Sequence, residues 1–319
     1  MQFFKDTHID FVSKRMTFAV ISIVVIVLGT IGTLVIKPQL GIDFAGGTEI
    51  AVKFYGDAPI DKVRSSIEEA GFDGAEIKSF GKDNQYLIRV KESDDQSEMI
   101  NNILEQNFGD AFDVDESILK IDKIGPKIGD ELFTDAIWAV VLAVICILLY
   151  IAFRFEFVYG VGAIIALIHD VVVTFTILVV AHFFLPINLE INQAILAGLL
   201  TVVGYSINDT VIIFDRIREN LERHKGMNFF KLVNMSINET LSRTVNTTLT
   251  TTIVLLILLF FGGPVLQGFA FTMFVGIVTG TYSSIFVASS FVIYYREKIK
   301  NEDLSKGSGT VRKVKTVKA

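Results

Sequence analysis

The chain has 319 residues, 51% of them hydrophobic, with a mean hydropathy of +0.52 and a formal net charge of −6. The apolar residues come in long blocks, not in amphipathic stripes, which excludes an ordinary water-soluble domain and defines an integral membrane protein. A single cysteine excludes a disulfide framework.

In chain order, residues 1–16 form an N-terminal segment in which Phe3, Phe4, Ile9, Phe11 and Val12, with Lys14 and Arg15, predict a short interfacial helix. Residues 17–36 carry no charge. They are longer than a signal-peptide apolar core and lack a small-residue cleavage site behind them, so they read as a retained first span. A hydrophilic segment fills 37–131. Further spans are expected at 132–153, 158–185, 191–214, 243–261 and 269–294, with a polar loop at 215–242 and a solvated tail at 295–319 that ends in Arg312, Lys313, Lys315 and Lys318. Each span is near the roughly 20 residues that a ~30 Å hydrocarbon core requires.

Basic residues set the orientation. Lys5, Lys14, Arg15, Arg154, Arg216, Arg218, Arg223, Lys225, Lys231, Arg296, Lys298 and Lys300 fall on one side, while the short loops 186–190 and 262–267 contain no Lys or Arg. Both termini are therefore expected in the cytoplasm, and residues 37–131 on the opposite side. That segment holds 21 acidic and 11 basic residues, a net of −10, which argues against nucleic acid as its partner.

The hydrophilic segment reads as a duplicated unit. Ile50, Val52 and Phe54 alternate along a first strand. A helix follows after Asp57 and Pro59, with Ile60, Val63, Ile67 and Ala70 on one stripe and Gly71 as its stop. Strands at 75–80 and 85–91 are joined by Gly81 to Asn84, a second helix runs from Asp94 to Phe108, and a last strand lies within 112–124. The order βαββαβ predicts a ferredoxin-like sheet with two helices on one face. Ahead of it, Asp43 with Gly46 and Gly47 reads as a turn whose glycines accept positive φ and whose carboxylate caps local amides.

Inside the expected membrane region the polar residues carry the chemistry. Asp209 lies in the fourth span, where a carboxylate is costly enough to point to function unless it reaches water at the helix end. Arg243 opens the fifth span, and alone it would read as an interfacial anchor. Beside it Thr244, Thr247, Thr248 and Thr251, with Asn208 on the fourth span, are expected to line a polar path, because lipid rejects so many hydroxyls. His169 and Asp170, near the middle of the third span, can relay protons or fix helix packing as a static knot. Gly276 with Gly280, and Ala194 with Gly198, form small-residue faces for close helix packing. No histidines have metal-ligand spacing, and Ser206 lacks the strand-to-helix elbow of a serine nucleophile, so neither a metal site nor an enzyme is expected.

The run Gly204-Tyr-Ser-Ile-Asn-Asp-Thr-Val211, followed by Phe214-Asp-Arg-Ile-Arg-Glu-Asn220, resembles the fourth membrane helix of the SecD/SecF protein-export family. Gly41-Ile-Asp-Phe-Ala-Gly-Gly-Thr48 resembles the signature of that family at the start of its exported domain, and Gly280 to Ala288 resembles its last span. The resemblance implies a six-span half of a resistance-nodulation-division bundle in the bacterial inner membrane. It implies SecD as the other half, the Sec channel and secretory preproteins as further partners, and the proton gradient as energy source. It also implies that Asp209 and Arg243 conduct protons and that Asp43 fixes the domain on the bundle. No P-loop is present, so ATP and other cofactors are not expected. The competing readings are a half-size small-molecule exporter and a non-transporting scaffold.

Overall fold

The computed structural model describes residues 7–72, 75–80, 84–90, 96–185, 187–300, 302 and 304. Expectations that fall on Phe3, Phe4, Lys5, Gly81, Asp94, Pro186 and the basic tail lie outside the described residues. Helix α1 (Arg15–Ile36) is followed by a single helical turn, α2 (Ile42–Ala45), and then by β1 (Gly47–Lys53), α3 (Ile60–Glu69), β2 (Glu76–Ser79), β3 (Gln85–Val90), α4 (Ser97–Phe108), the short α5 (Val114–Ser117) and β4 (Ile118–Ile124). The remaining helices are α6 (Pro126–Arg154), α7 (Phe157–Phe184), α8 (Gln193–Arg223), α9 (Phe229–Phe261) and α10 (Pro264–Ser283). The last of these continues through a π-helical turn, Ser284–Ala288, into α11 (Ser289–Tyr294).

The four strands form one antiparallel sheet in the order β2-β3-β1-β4, the ferredoxin-like arrangement. Strand alternation sorts the side chains to two faces. Ile50, Val52, Ile77, Tyr86, Ile88 and Val90 meet Val63 and Ile67 of α3 and Ile100, Leu104 and Phe108 of α4 in a single core. The opposite face carries Glu49, Ala51, Leu87 and Arg89. No helix of the domain covers it, yet Ala51, Leu87 and Arg89 are buried. Their burial comes from the membrane bundle, as described below.

Among the described residues six helices are long and apolar enough to cross a membrane: α1, α6, α7, α8, α9 and the continuous α10–α11. They outrun their expected bounds. Helix α8 has 31 residues and α9 has 33, about 46 and 50 Å against a ~30 Å core. The loop expected at 215–242 shrinks to residues 224–228. Hydropathy marks only the part of a helix that needs lipid. The charges beyond that part extend the helix through i,i+3 and i,i+4 pairs, Arg216 with Glu219 at 2.8 Å and Arg223 with Glu219 at 2.6 Å. The expected N-terminal helix is likewise absent from residues 7–11. There the chain is an extended strap held by Asn234 and Asn238 of α9, whose side-chain oxygens accept from the Phe11 and Ile9 amides at 2.8 and 2.9 Å. Backbone bonded to those amides in this way has no use for helical bonds.

Helices α8 and α10 run parallel in the bundle centre, with small residues in register. A Cβ on Gly198 would lie 3.1 Å from Thr272, one on Gly276 2.1 Å from Val202, and one on Gly280 3.1 Å from Ser206. The partners repeat every four residues on both helices, which is the spacing of one helix face. Ala194, one step earlier on the α8 series, is only partly buried and lines a cleft with Gly268. By contrast α6 buries only Gly129 and Ile151, and α1 only Ser22 and Gly29.

Candidate functional site: two buried carboxylates

Asp209 lies on the inward stripe of α8, with Val202, Ser206, Ile213 and Ile217, and that helical spacing carries it into the bundle at 1% exposure. Its Oδ2 accepts a long hydrogen bond, 3.4 Å, from the Thr281 hydroxyl of α10, and Thr281 in turn meets Thr248 of α9 at 2.8 Å. Oδ1 has no hydrogen-bond partner. Arg243 is exposed on the flank of α9, where its charge still acts on Asp209 although among the described residues no carboxylate lies within 4.0 Å of it. What α9 turns inward is Thr244, 1% exposed with an unpartnered hydroxyl, and Thr248.

The remaining threonines make hydrogen bonds to their own helix. Thr247 returns its hydroxyl to a carbonyl of its own helix at 2.9 Å, as hydroxyl side chains in helices can, and Thr251 does so at 2.9 Å while also meeting the Tyr205 hydroxyl of α8 at 3.1 Å. Thr250 does the same with Asn246 at 2.9 Å. This back-bonding removes the cost of an unsatisfied hydroxyl without any hydrated channel. Asn208 is exposed on the outer side of α8.

His169 and Asp170 lie together in the bundle centre, 5% and 0% exposed. Asp170 Oδ1 pairs with His169 Nδ1 at 2.9 Å, while Oδ2 accepts from Ser283 of α10 at 2.7 Å and from Ser206 of α8. His169 Nε2 reaches Ser22 of α1 at 3.2 Å, Ser22 meets the Tyr282 hydroxyl at 2.8 Å, and that hydroxyl donates to the Phe18 carbonyl at 2.8 Å. Because the Tyr282 hydrogen goes to the Phe18 carbonyl, Ser22 donates its own to Tyr282 and turns a lone pair toward His169 Nε2. The two carboxylates are served by neighbouring residues of the same two helices: Ser206 and Asp209 on α8, Ser283 and Thr281 on α10. Thr281 and Ser283 sit just ahead of the π-helical turn of the last span, a local feature common at functional sites.

Reading the residues singly missed Ser22, Thr281 and Ser283, since one hydroxyl in an apolar span carries no signal. A further missed polar group lies at the opposite end of the bundle from the sheet, where the Asn220 amide of α8 donates to Ser236 at 3.0 Å and Glu239 at 2.7 Å of α9.

Asp43 caps no local amide. Its Oδ2 accepts from the Gln193 amide at 2.9 Å, at the first turn of α8, so the α2 turn is tied to the helix of Asp209. Gly46 and Gly47 have φ of 71° and 121°. A Cβ on Gly46 would also press on Pro126 at 3.1 Å, where α6 begins, so that position combines left-handed backbone with close approach.

Fold and site together define a multi-pass α-helical membrane protein with one α+β domain and a carboxylate system buried in its bundle. The chain belongs to the SecD/SecF family: residues 104–298 match the family described as protein export membrane protein SecD/SecF, C-terminal, and residues 31–54 match the SecD/SecF GG motif. It is similar to the protein translocase subunit SecF of Desulfurispirillum indicum, 39% identical over 94% of this chain and 95% of the relative. The SecF subunit of Rhodothermus marinus is 40% identical over 93% and 96%. The crystal structure of SecDF, a translocon-associated membrane protein from Thermus thermophilus, superposes with a TM-score of 0.80 at 34% identity over 92% of this chain. This chain spans only 39% of that longer one.

Proposed function

We propose that the chain assists protein export across the bacterial inner membrane as a proton-gradient-coupled subunit, working against a second half-bundle of the SecD type. The observation that carries this reading is Asp209, buried at 1% exposure with one oxygen unpartnered and the other on a single long hydrogen bond. A carboxylate locked to a cation would be a static strut. One supported so lightly in an apolar bundle changes its contacts whenever it gains or loses a proton. Asp170 and His169 supply a second set of proton-transfer groups on the same helices, and Arg243 takes part from the outer flank of α9. One charge moved across 100 mV is worth about 2.3 kcal/mol, enough to bias a modest conformational equilibrium.

The relatives named as translocase subunits and the translocon-associated SecDF structure support preproteins as cargo and the Sec channel as a looser contact. The distribution of Lys and Arg supports cytoplasmic termini and a periplasmic α+β domain. No enzymatic step, metal or nucleotide enters this reading. Asp209→Asn keeps size and polarity but removes the titration. The variant should insert and assemble normally while secretion of a reporter protein falls at least tenfold and proton flux is lost. Secretion at the parental level would remove Asp209 from the mechanism.

A further inference from the structure

Glu190, in the connection between α7 and α8, is buried at 2% exposure although no membrane span surrounds it. The α+β domain encloses it. Its Oε1 accepts from Lys78 of β2 at 2.7 Å and its Oε2 from Arg89 of β3. Arg89 also holds Glu49 of β1 at 2.7 Å, and Lys78 reaches Gln39 at 2.7 Å. Burial works against charge on Glu190, but the two cations outweigh it and hold the carboxyl below its ordinary range. Burial pushes Glu49 the other way, above that range, despite its bond to Arg89. Arg89 is thus committed chiefly to the bundle's acid.

The residues beside Glu190 are equally fixed on the bundle side. The Leu189 amide donates to His182 Nδ1 at 3.2 Å. Ile191 pairs with Leu40 as in a parallel sheet, through Gly41 N to Ile191 O at 2.9 Å and Ile191 N to Gln39 O at 2.8 Å. Asn192 then caps α8, and Gln193 carries the Asp43 bond. Two residues separate the domain's clamp from the first turn of the helix that carries Asp209, which lies about 24 Å further along it by helix rise.

We propose that Glu190 is the positioning residue that seats the bare face of the sheet on the bundle, so that any axial shift of α8 is delivered to the domain through the Arg89 and Lys78 pairs. Only the link to Asp209 rests on the proton-coupled reading; the seating itself stands apart from it. A cleft of about 230 Å³ between sheet and bundle, lined by Ala51, Leu87, Glu190 and Gln193, gives the reporter. Ala51 is 1% exposed there.

The full-length protein carrying Cys146→Ser and Ala51→Cys is reconstituted in liposomes together with the proposed second half-bundle in cysteine-free form, and maleimide labelling is timed. Glu190→Gln should raise the rate at least tenfold, and Glu190→Asp, which keeps the charge, should stay within about threefold of the parent. Equal rates in parent and Glu190→Gln overturn the proposal. So does fast labelling of a Val63→Cys reporter in the domain core, which would show unfolding in place of release. An imposed proton gradient should change Ala51→Cys labelling in the parent and not in Glu190→Gln. A gradient response that survives in Glu190→Gln overturns the delivery role. No response in the parent counts against the proton-coupled reading and leaves the seating result as measured.

Discussion

Glu190 and Asp209 are both buried acids, and their company gives them opposite characters. Glu190 has two cations on it, and Asp209 has one hydroxyl. For Glu190, whose carboxyl is held below its ordinary value of 4.5, the stability it lends the seated domain is fully present above that value and is lost as pH falls through the lower, seated one. Glu49 is raised, so it takes up a proton at higher pH with a gain in seating that is complete below 4.5. Glu76, Asp122, Asp43, Lys78, Lys120, Arg89 and His182 also face or border this cluster. The distance between spin labels at Asp61 of α3 and Leu266 of α10 should therefore hold steady from neutral pH to about pH 5 and broaden only below 4.5, whereas Glu190→Gln, released already, should be broad at neutral pH and lose nothing further on acidification. A distance that broadened between pH 7 and 6 would contradict the assignment. Asp209 was legible in the sequence because an acid stands out in an apolar run. Glu190 was not, because it is one acid in a polar connection, and its burial depends on strands that lie about a hundred positions earlier in the chain.

At the scale of elements, the α8–α10 contact was legible as small residues at four-residue spacing, and helix ends were not, because hydropathy stops at the membrane while side-chain pairing continues the helix into water. The threonine-rich start of the fifth span shows the same limit. Composition reveals hydroxyls, but not whether each one turns to a neighbour, as Thr248 does, or to its own helix, as Thr247 and Thr250 do. The close approach at Gly276 makes a quantitative prediction. An added methyl would meet Val202 at 2.1 Å, so Gly276→Ala must force α8 and α10 apart. Overpacking of this kind costs about 1–3 kcal/mol. The detergent melting temperature should fall by several degrees, and secretion should fall with it, since Ser206 and Ser283 lose their common hold on Asp170. Adding Val202→Ala clears the space and should restore most of both; a double variant no better than the single would show that the contact is not what matters.

For the whole molecule, the βαββαβ order and the six spans could be read from local periodicity, whereas the way the bundle meets its surroundings could not. Beyond Asp135, helix α6 exposes an apolar surface, including Ile137, Trp138, Leu142, Ile145 and Leu149, which lipid satisfies. Helices α8 and α9 do not: Thr201 and Asn208 on one, and Arg243 and Thr250 on the other, are exposed within segments long enough to cross the membrane. Polar and charged groups at that depth face protein or water, not hydrocarbon. The proposed second half-bundle would supply that cover, and the SecDF chain, of which this one spans 39%, has room for it. The chain should therefore be inactive alone. Extraction of native membranes in mild detergent should recover it with a larger membrane protein that has its own related six-span region, and a cysteine at Asn208 should cross-link to that protein and not to a second copy of this chain. Recovery of a stable, export-competent assembly containing no such protein would overturn this reading, and Asn208 cross-links between identical chains would identify a self-sufficient homo-oligomer in its place.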